Sequence, residues 1–180
     1  DQPIFPPGVV QPEMVLPFER ISLEKEESVG GKMANLGELR NRLGLPVPGG
    51  FAITAYAYKS FIGYHQLQEE ISRRLNALDI NRLEDLLVVS RDIQQRILEK
   101  PIPPFLEETL TKSYQELIEK TGSEIRVSVR SSALGEDSRL SFAGQYGTVL
   151  NVDPREIGDK YKEILASKFT PRAIFYFIGK

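Results

Sequence analysis

Arg126-Val-Ser-Val-Arg-Ser-Ser-Ala-Leu-Gly-Glu-Asp-Ser-Arg-Leu-Ser-Phe-Ala-Gly-Gln-Tyr-Gly-Thr-Val-Leu-Asn-Val152 reads as strand, polar loop, strand. The first strand is short and β-branched, and it delivers Arg130 into a run of small and polar residues. That run, Ser131 to Gln145, carries hydroxyls, the carboxylates of Glu136 and Asp137, and Gly135 and Gly144. A guanidinium is a rigid fork of N–H donors, and small residues let another molecule approach the backbone. The segment therefore suits an anionic ligand, phosphate above all. Arg130 could equally pair with Glu136 or Asp137 and hold its own loop. Those adjacent loop carboxylates read as solvated or paired rather than as metal ligands. Gly144-Gln145 is either a turn open to phosphate oxygens or a bend between strands, and Thr148 is either a ligand hydroxyl or a strand residue.

Upstream of this element the pattern is mostly helical. Residues 1–17 are proline-rich and aperiodic, and read as an extended arm. Residues 29–44 read as a helix entered through Gly30-Gly31, with Met33, Leu36, Leu39 and Leu43 on one face. Gly44 and Pro46 end it. Phe51 to Thr54 is a short strand whose Thr54 can cap a helix bearing Tyr58, Phe61 and Ile62. Three helical segments follow, with faces Leu67/Ile71/Leu75/Leu78, Leu83/Leu86/Leu87/Ile93/Ile97 and Leu106/Leu110/Tyr114/Leu117/Ile118. Pro101 to Pro104 breaks the chain before the last of these, and Gly122 ends it. Downstream, Asp153-Pro-Arg-Glu156 starts a helix that continues through Ile157, Tyr161, Ile164 and Leu165. Thr170 and Pro171 start another, with Ala173, Ile174, Phe177 and Ile178 as its apolar face. The fold class is mixed α/β (α+β), helix-rich with one small sheet. The first residue is Asp1, and the last helix reaches Lys180 with its apolar stripe unfinished, so the chain reads as a fragment.

Composition narrows the function. The 180 residues are 41% hydrophobic, enough to bury a core, and the net charge of −2 offers no basic excess for nucleic acid. No run reaches membrane-spanning length, and no leader precedes the fold. There is no cysteine, which removes thiolate chemistry and fits a reducing cytoplasm. His65 is the only histidine and stands without metal-binding companions. It reads as a surface or capping residue. No metal ligands are assigned.

Ser28-Val-Gly-Gly-Lys32 is a second anion candidate. Glycines before a helix start leave backbone N–H groups for an anion, with the Lys32 ammonium beside them. Alternatively Gly30-Gly31 makes a tight turn before a solvated lysine. It is not a Walker A loop, because Glu26 and Met33 stand where glycine and Ser/Thr are needed.

Four stretches carry a family resemblance in their order along the chain. They are Val29-Gly-Gly-Lys-Met-Ala-Asn-Leu-Gly-Glu-Leu39, Val47-Pro-Gly-Gly-Phe-Ala-Ile-Thr54, Val129-Arg-Ser-Ser-Ala-Leu-Gly-Glu-Asp137 and Ser141-Phe-Ala-Gly-Gln-Tyr-Gly-Thr-Val-Leu-Asn-Val152. Together they resemble the N-terminal ATP-binding region of phosphoenolpyruvate synthase and pyruvate phosphate dikinase, which rifampin phosphotransferases share. The resemblance covers roughly residues 18–180 and implies the first part of an ATP-grasp-like nucleotide-binding domain, without its C-terminal lobe. It implies a phosphotransferase that passes a phosphoryl group from ATP to a histidine on another domain, from which a barrel makes phosphoenolpyruvate out of pyruvate. Lys32 and Arg130 fall on the family's catalytic, phosphate-binding lysine and arginine. Ser141, Gly144, Gln145 and Thr148 fall on its loop over the nucleotide. Mg2+ is implied as a cofactor, with its acidic ligands C-terminal to this chain. The partners implied are the phosphohistidine domain and the barrel of the full-length chain. A different acceptor, such as rifampin, or a non-catalytic nucleotide-sensing module would use the same region. One departure is Gly147, where the family usually has an acidic residue.

Overall fold

A computed structural model describes residues 12–122, 127–130 and 148–178; for 127–130 and 148–152 it describes the backbone. Helices dominate, as the apolar spacing requires. α1 (Glu26–Val29) and α2 (Gly31–Asn41) lead to α3 (Ala55–Tyr64), α4 (Leu67–Asn76), α5 (Leu83–Glu99) and α6 (Pro104–Thr121). α7 (Ile157–Ser167) and α8 (Pro171–Ile178) follow the second ladder. The strands are β1 (Val15–Pro17), β2 (Phe51–Ile53), β3 (Val127–Arg130) and β4 (Thr148–Val152). They form two separate antiparallel ladders among the described residues, β1 with β2 and β3 with β4, rather than the one small sheet expected.

Local stops and caps fall where side-chain chemistry puts them. Thr54 Oγ1 accepts from the Ala57 N–H at 3.4 Å and donates to the Glu13 carbonyl at 2.6 Å, so the cap also ties α3 to the chain before β1. Gly122 takes a left-handed φ of 75° after α6, and its N–H reaches the Ile118 carbonyl at 2.8 Å. Thr170 caps α8 through the Ala173 N–H at 3.2 Å. Asp153 Oδ1 accepts from the Arg155 N–H at 2.9 Å, and a 3-10 turn over Pro154–Glu156 leads into α7.

Four readings change. The segment expected as an extended arm ends in β1, whose Val15 and Leu16 are buried. The pairing partner, Phe51 to Ile53, lies far along the chain, so no local signal marks it. The helix expected over 29–44 is α2, entered through Gly30-Gly31 as expected but ending at Asn41, and Gly30 at φ 83° separates it from the short α1, which was not expected. The buried face of α2 is also different: Gly31, Ala34 and Gly37 point inward, while Leu36 and Leu43 are exposed. A Cβ on Gly37 would stand 2.3 Å from the Ile21 carbonyl oxygen, so only glycine permits this approach. In α5 the buried stripe is Leu86, Ser90, Ile93 and Ile97, with Leu83 and Leu87 exposed. Ser90 is tolerated inside because its hydroxyl donates to the Phe169 carbonyl at 2.6 Å.

The main core joins α3, α4, α5, α6 and α7 through Phe61, Ile71, Ile93, Ile97, Leu106, Leu110, Tyr114 and Leu165. Burying a side chain such as Phe61 or Ile93 contributes about 1.5–3 kcal/mol. A smaller cluster of Leu16, Ile21, Val29, Ala34 and Ala52 lies under α2 and the first ladder. α7 packs against both α5 and β3, which sets the second ladder on the main core.

Candidate functional site

Lys32 is the second residue of α2 and is exposed, whereas Val29, Gly30 and Gly31 just before it are buried. The glycines therefore serve first to break α1 from α2 and to seat the helix start. Lys32 stands in the first helical turn, where the dipole favours anions.

The helix that carries Lys32 is held along its C-terminal half. Gly37 lies on Ile21, and Asn41 Nδ2 donates to the Phe18 and Ile21 carbonyls at 2.8 and 2.9 Å. Leu23 N–H reaches Glu38 Oε2 at 3.4 Å, and Arg40 Nη1 donates to the Val47 carbonyl at 2.9 Å. The sequence reading missed this clamp. Its signal is the small-residue spacing Gly31, Ala34, Gly37, which marks a helix face that can approach backbone closely.

The second ladder brings two expected residues together. Arg130, at the end of β3, pairs with Thr148, at the start of β4, on one antiparallel rung. The register runs Val127 with Val152, Val129 with Val149 and Arg130 with Thr148, so β4 carries one extra residue between the first two pairs. Such a bulge bends a strand and increases its twist. Ser141, Gly144 and Gln145 lie outside the described residues, as do Glu136, Asp137 and Gly147.

His65 is the C-cap of α3. Its Nε2 lies 2.7 Å from the Pro101 carbonyl oxygen, an acceptor, so Nε2 carries the proton. The ring meets Phe61 and Tyr64 edge-on, at 5.0 and 4.9 Å between centroids. These contacts give it a structural place between α3 and the turn before α6. Among the described residues no group of three or more His, Cys, Asp or Glu could hold a metal ion, and no helix is long and apolar enough to cross a membrane.

The perturbed titratable groups gather elsewhere. Tyr161 of α7 is buried, its hydroxyl has no hydrogen-bond partner among the described residues, and desolvation, helped by nearby Tyr58, pushes its pKa far up. Burial also raises Tyr58. The Lys168 ammonium sits 4.4 Å from the centre of the Tyr58 ring, and burial lowers its pKa. This trio belongs to the joint between α3 and α7.

Residues 26–180 match the family described as pyruvate phosphate dikinase, AMP/ATP-binding domain, a span that includes Lys32, Arg130 and Thr148. The chain is 48% identical over 157 residues to a Staphylothermus marinus protein named "Probable phosphoenolpyruvate synthase", covering 84% of this chain and 19% of that one. It is 38% identical over 172 residues to the phosphoenolpyruvate synthase of Neisseria meningitidis, covering 92% of this chain and 22% of that one. For the phosphoenolpyruvate synthase of Deinococcus radiodurans the figures are 38% over 169 residues, 91% and 21%. The chain spans about a fifth of the length of these relatives.

Proposed function

The chain belongs to the pyruvate phosphate dikinase AMP/ATP-binding domain family, and from that premise we propose that it supplies one wall of the ATP site of a phosphotransferase. Residues 18–180 are the first part of an ATP-grasp-like domain, and residues 1–17 precede it in sequence with Val15–Pro17 paired onto its β2. The observation that carries the reading is the family match itself, which takes in both cations and the strand-loop-strand element between Arg130 and Thr148. The exposed first-turn position of Lys32 and the shared rung of Arg130 and Thr148 support it.

Lys32 supplies a compact point charge and Arg130 a planar fork to phosphate oxygens. Ser141, Gly144, Gln145 and Thr148 are the residues we assign to the nucleotide phosphates. Charge builds on those oxygens as the phosphoryl group leaves, and both cations stabilise it in place of water. Mg2+, when bound, neutralises further charge on the nucleotide; its acidic ligands lie C-terminal to this chain. The acceptor is a histidine on another domain, and the onward product is phosphoenolpyruvate, the reading favoured by the names of the relatives. We assign His65 a structural place instead, its ring held at the α3 C-cap by the Pro101 carbonyl and the edges of Phe61 and Tyr64.

The test is phosphohistidine formation from ATP in the full-length protein. Lys32→Ala and Arg130→Ala should each slow it about 100-fold or more, the scale for removing one preorganised charge-stabilising donor, with an unchanged circular dichroism spectrum. His65→Ala should leave it nearly intact. Undiminished phosphorylation in both cation variants refutes the site.

A further inference from the structure

We propose that Asn41 is a positioning residue for Lys32: by clamping the far end of α2 to the Phe18–Ile21 segment, it fixes where the lysine ammonium meets phosphate. The inference rests on the phosphate-site reading of Lys32 given above.

The geometry is specific to this side chain. Asn41 is the last residue of α2 and Lys32 the second. Both amide hydrogens of Asn41 are used, one on the Phe18 carbonyl at 2.8 Å and one on the Ile21 carbonyl at 2.9 Å. Carbonyl oxygens only accept, so the amide nitrogen must face them. The two acceptors are themselves anchored. The Phe18 N–H reaches the Gly50 carbonyl at 2.9 Å beside the β1–β2 ladder, and Ile21 is fully buried. Asn41 thus connects α2 directly to the first ladder, with the Gly37–Ile21 contact as the fulcrum.

Nine residues of helix separate Lys32 from Asn41, about 13 Å at 1.5 Å per residue. Pivoting α2 about the Gly37–Ile21 contact, five residues or about 7.5 Å from Lys32, by roughly 8° would carry the Lys32 backbone about 1 Å. Displacements of about 1 Å far from the chemistry are enough to cost orders of magnitude in rate when a group must meet a reacting phosphate. The helix is stiff, so a loosened far end is felt at its start.

The test measures binding of adenosine and of a non-hydrolysable ATP analogue to the full-length protein and to Asn41→Ala, Asn41→Asp, Lys32→Ala and the Lys32→Ala/Asn41→Ala double variant. A purely structural role would weaken both ligands alike. Positioning predicts that Asn41→Ala weakens the ATP analogue about three- to tenfold, the range of coupling between residues acting as a unit, and leaves adenosine unchanged. Asn41→Asp should be worse than alanine, because it turns a carboxylate toward two carbonyl oxygens. In the double variant the ATP analogue should bind no more weakly than in Lys32→Ala alone. Additive losses, or equal losses for adenosine and the ATP analogue, overturn the positioning role while leaving the phosphate site standing. An unchanged ATP-analogue affinity in Lys32→Ala removes the phosphate site and this inference with it.

Discussion

Replacing Gly37 with alanine tests how α2 is seated. The new Cβ would lie 2.3 Å from the Ile21 carbonyl oxygen and 2.6 Å from Ile21 Cγ2. Carbon–oxygen contacts settle near 3.3 Å, so helix and segment must separate by about 1 Å. Overpacking of this kind costs about 1–3 kcal/mol. The same retreat stretches the Asn41 bonds from 2.8 and 2.9 Å beyond hydrogen-bonding range, at about 1 kcal/mol each. Helix propensity returns about 1 kcal/mol, since alanine is the better helix former. The net loss is about 3 kcal/mol, which for a chain of this size lowers the melting temperature by about 6–12 °C. Gly63 provides the control: it lies inside α3, has ordinary φ, and an added Cβ would meet nothing within 4 Å. Gly63→Ala should therefore stabilise by up to about 1 kcal/mol. Thermal melts and urea titrations of the two variants check the signs. A Gly37→Ala protein as stable as its parent, or more stable, would refute the close-approach argument.

Two further variants probe the joint between α3 and α7. Tyr161→Phe removes a buried hydroxyl that has no partner among the described residues, so it should be neutral or stabilising, where loss of a bonded hydroxyl would cost about 1 kcal/mol; a clear drop in urea midpoint contradicts this. Burial holds Lys168 below its ordinary 10.5, so the unfolded chain binds the proton more tightly and stability is reduced at pH values below the lowered pKa. That deficit is recovered as pH rises toward 10.5. Tyr58 and Tyr161, raised above the usual 10.0, lose stability in the same alkaline range, so the comparison must be between the parent and Lys168→Met. The variant should be more stable at neutral pH, with the gap closing as pH rises; a gap constant from pH 7 to 10.5 counts against it.

Much of the helical framework is legible in the sequence because its signals are local. Thr54, Thr170 and Gly122 satisfy orphan backbone groups within a turn of themselves, and the Leu106/Leu110/Tyr114/Leu117 face of α6 is buried as its spacing requires. β1 is not legible in this way. Its Val15 and Leu16 are buried by pairing with a strand far along the chain, and proline-rich surroundings suggest the opposite. Ser90 is missed for a related reason. A hydrophobic pattern cannot anticipate a hydroxyl whose acceptor, the Phe169 carbonyl, is supplied by a distant turn.

The candidate site divides along the same line. The two strands are legible in the sequence, but the register that sets Arg130 opposite Thr148 is supplied by the folded backbone. The face of α2 is hidden, because a helix that approaches backbone closely buries glycine and alanine and turns its leucines outward. The glycines around Lys32 therefore have a different main task from the one their motif suggests. Read alone, Gly30-Gly31 before a lysine looks like a backbone cradle for phosphate. In the folded chain the pair is buried, Gly30 breaks the helix at φ 83°, and Gly37 admits the Ile21 carbonyl. Those three positions fix the start and the seat of α2. The charge of Lys32 is exposed at the start of the helix so seated, and under the proposed phosphate role recognition there would depend on how firmly that helix is held.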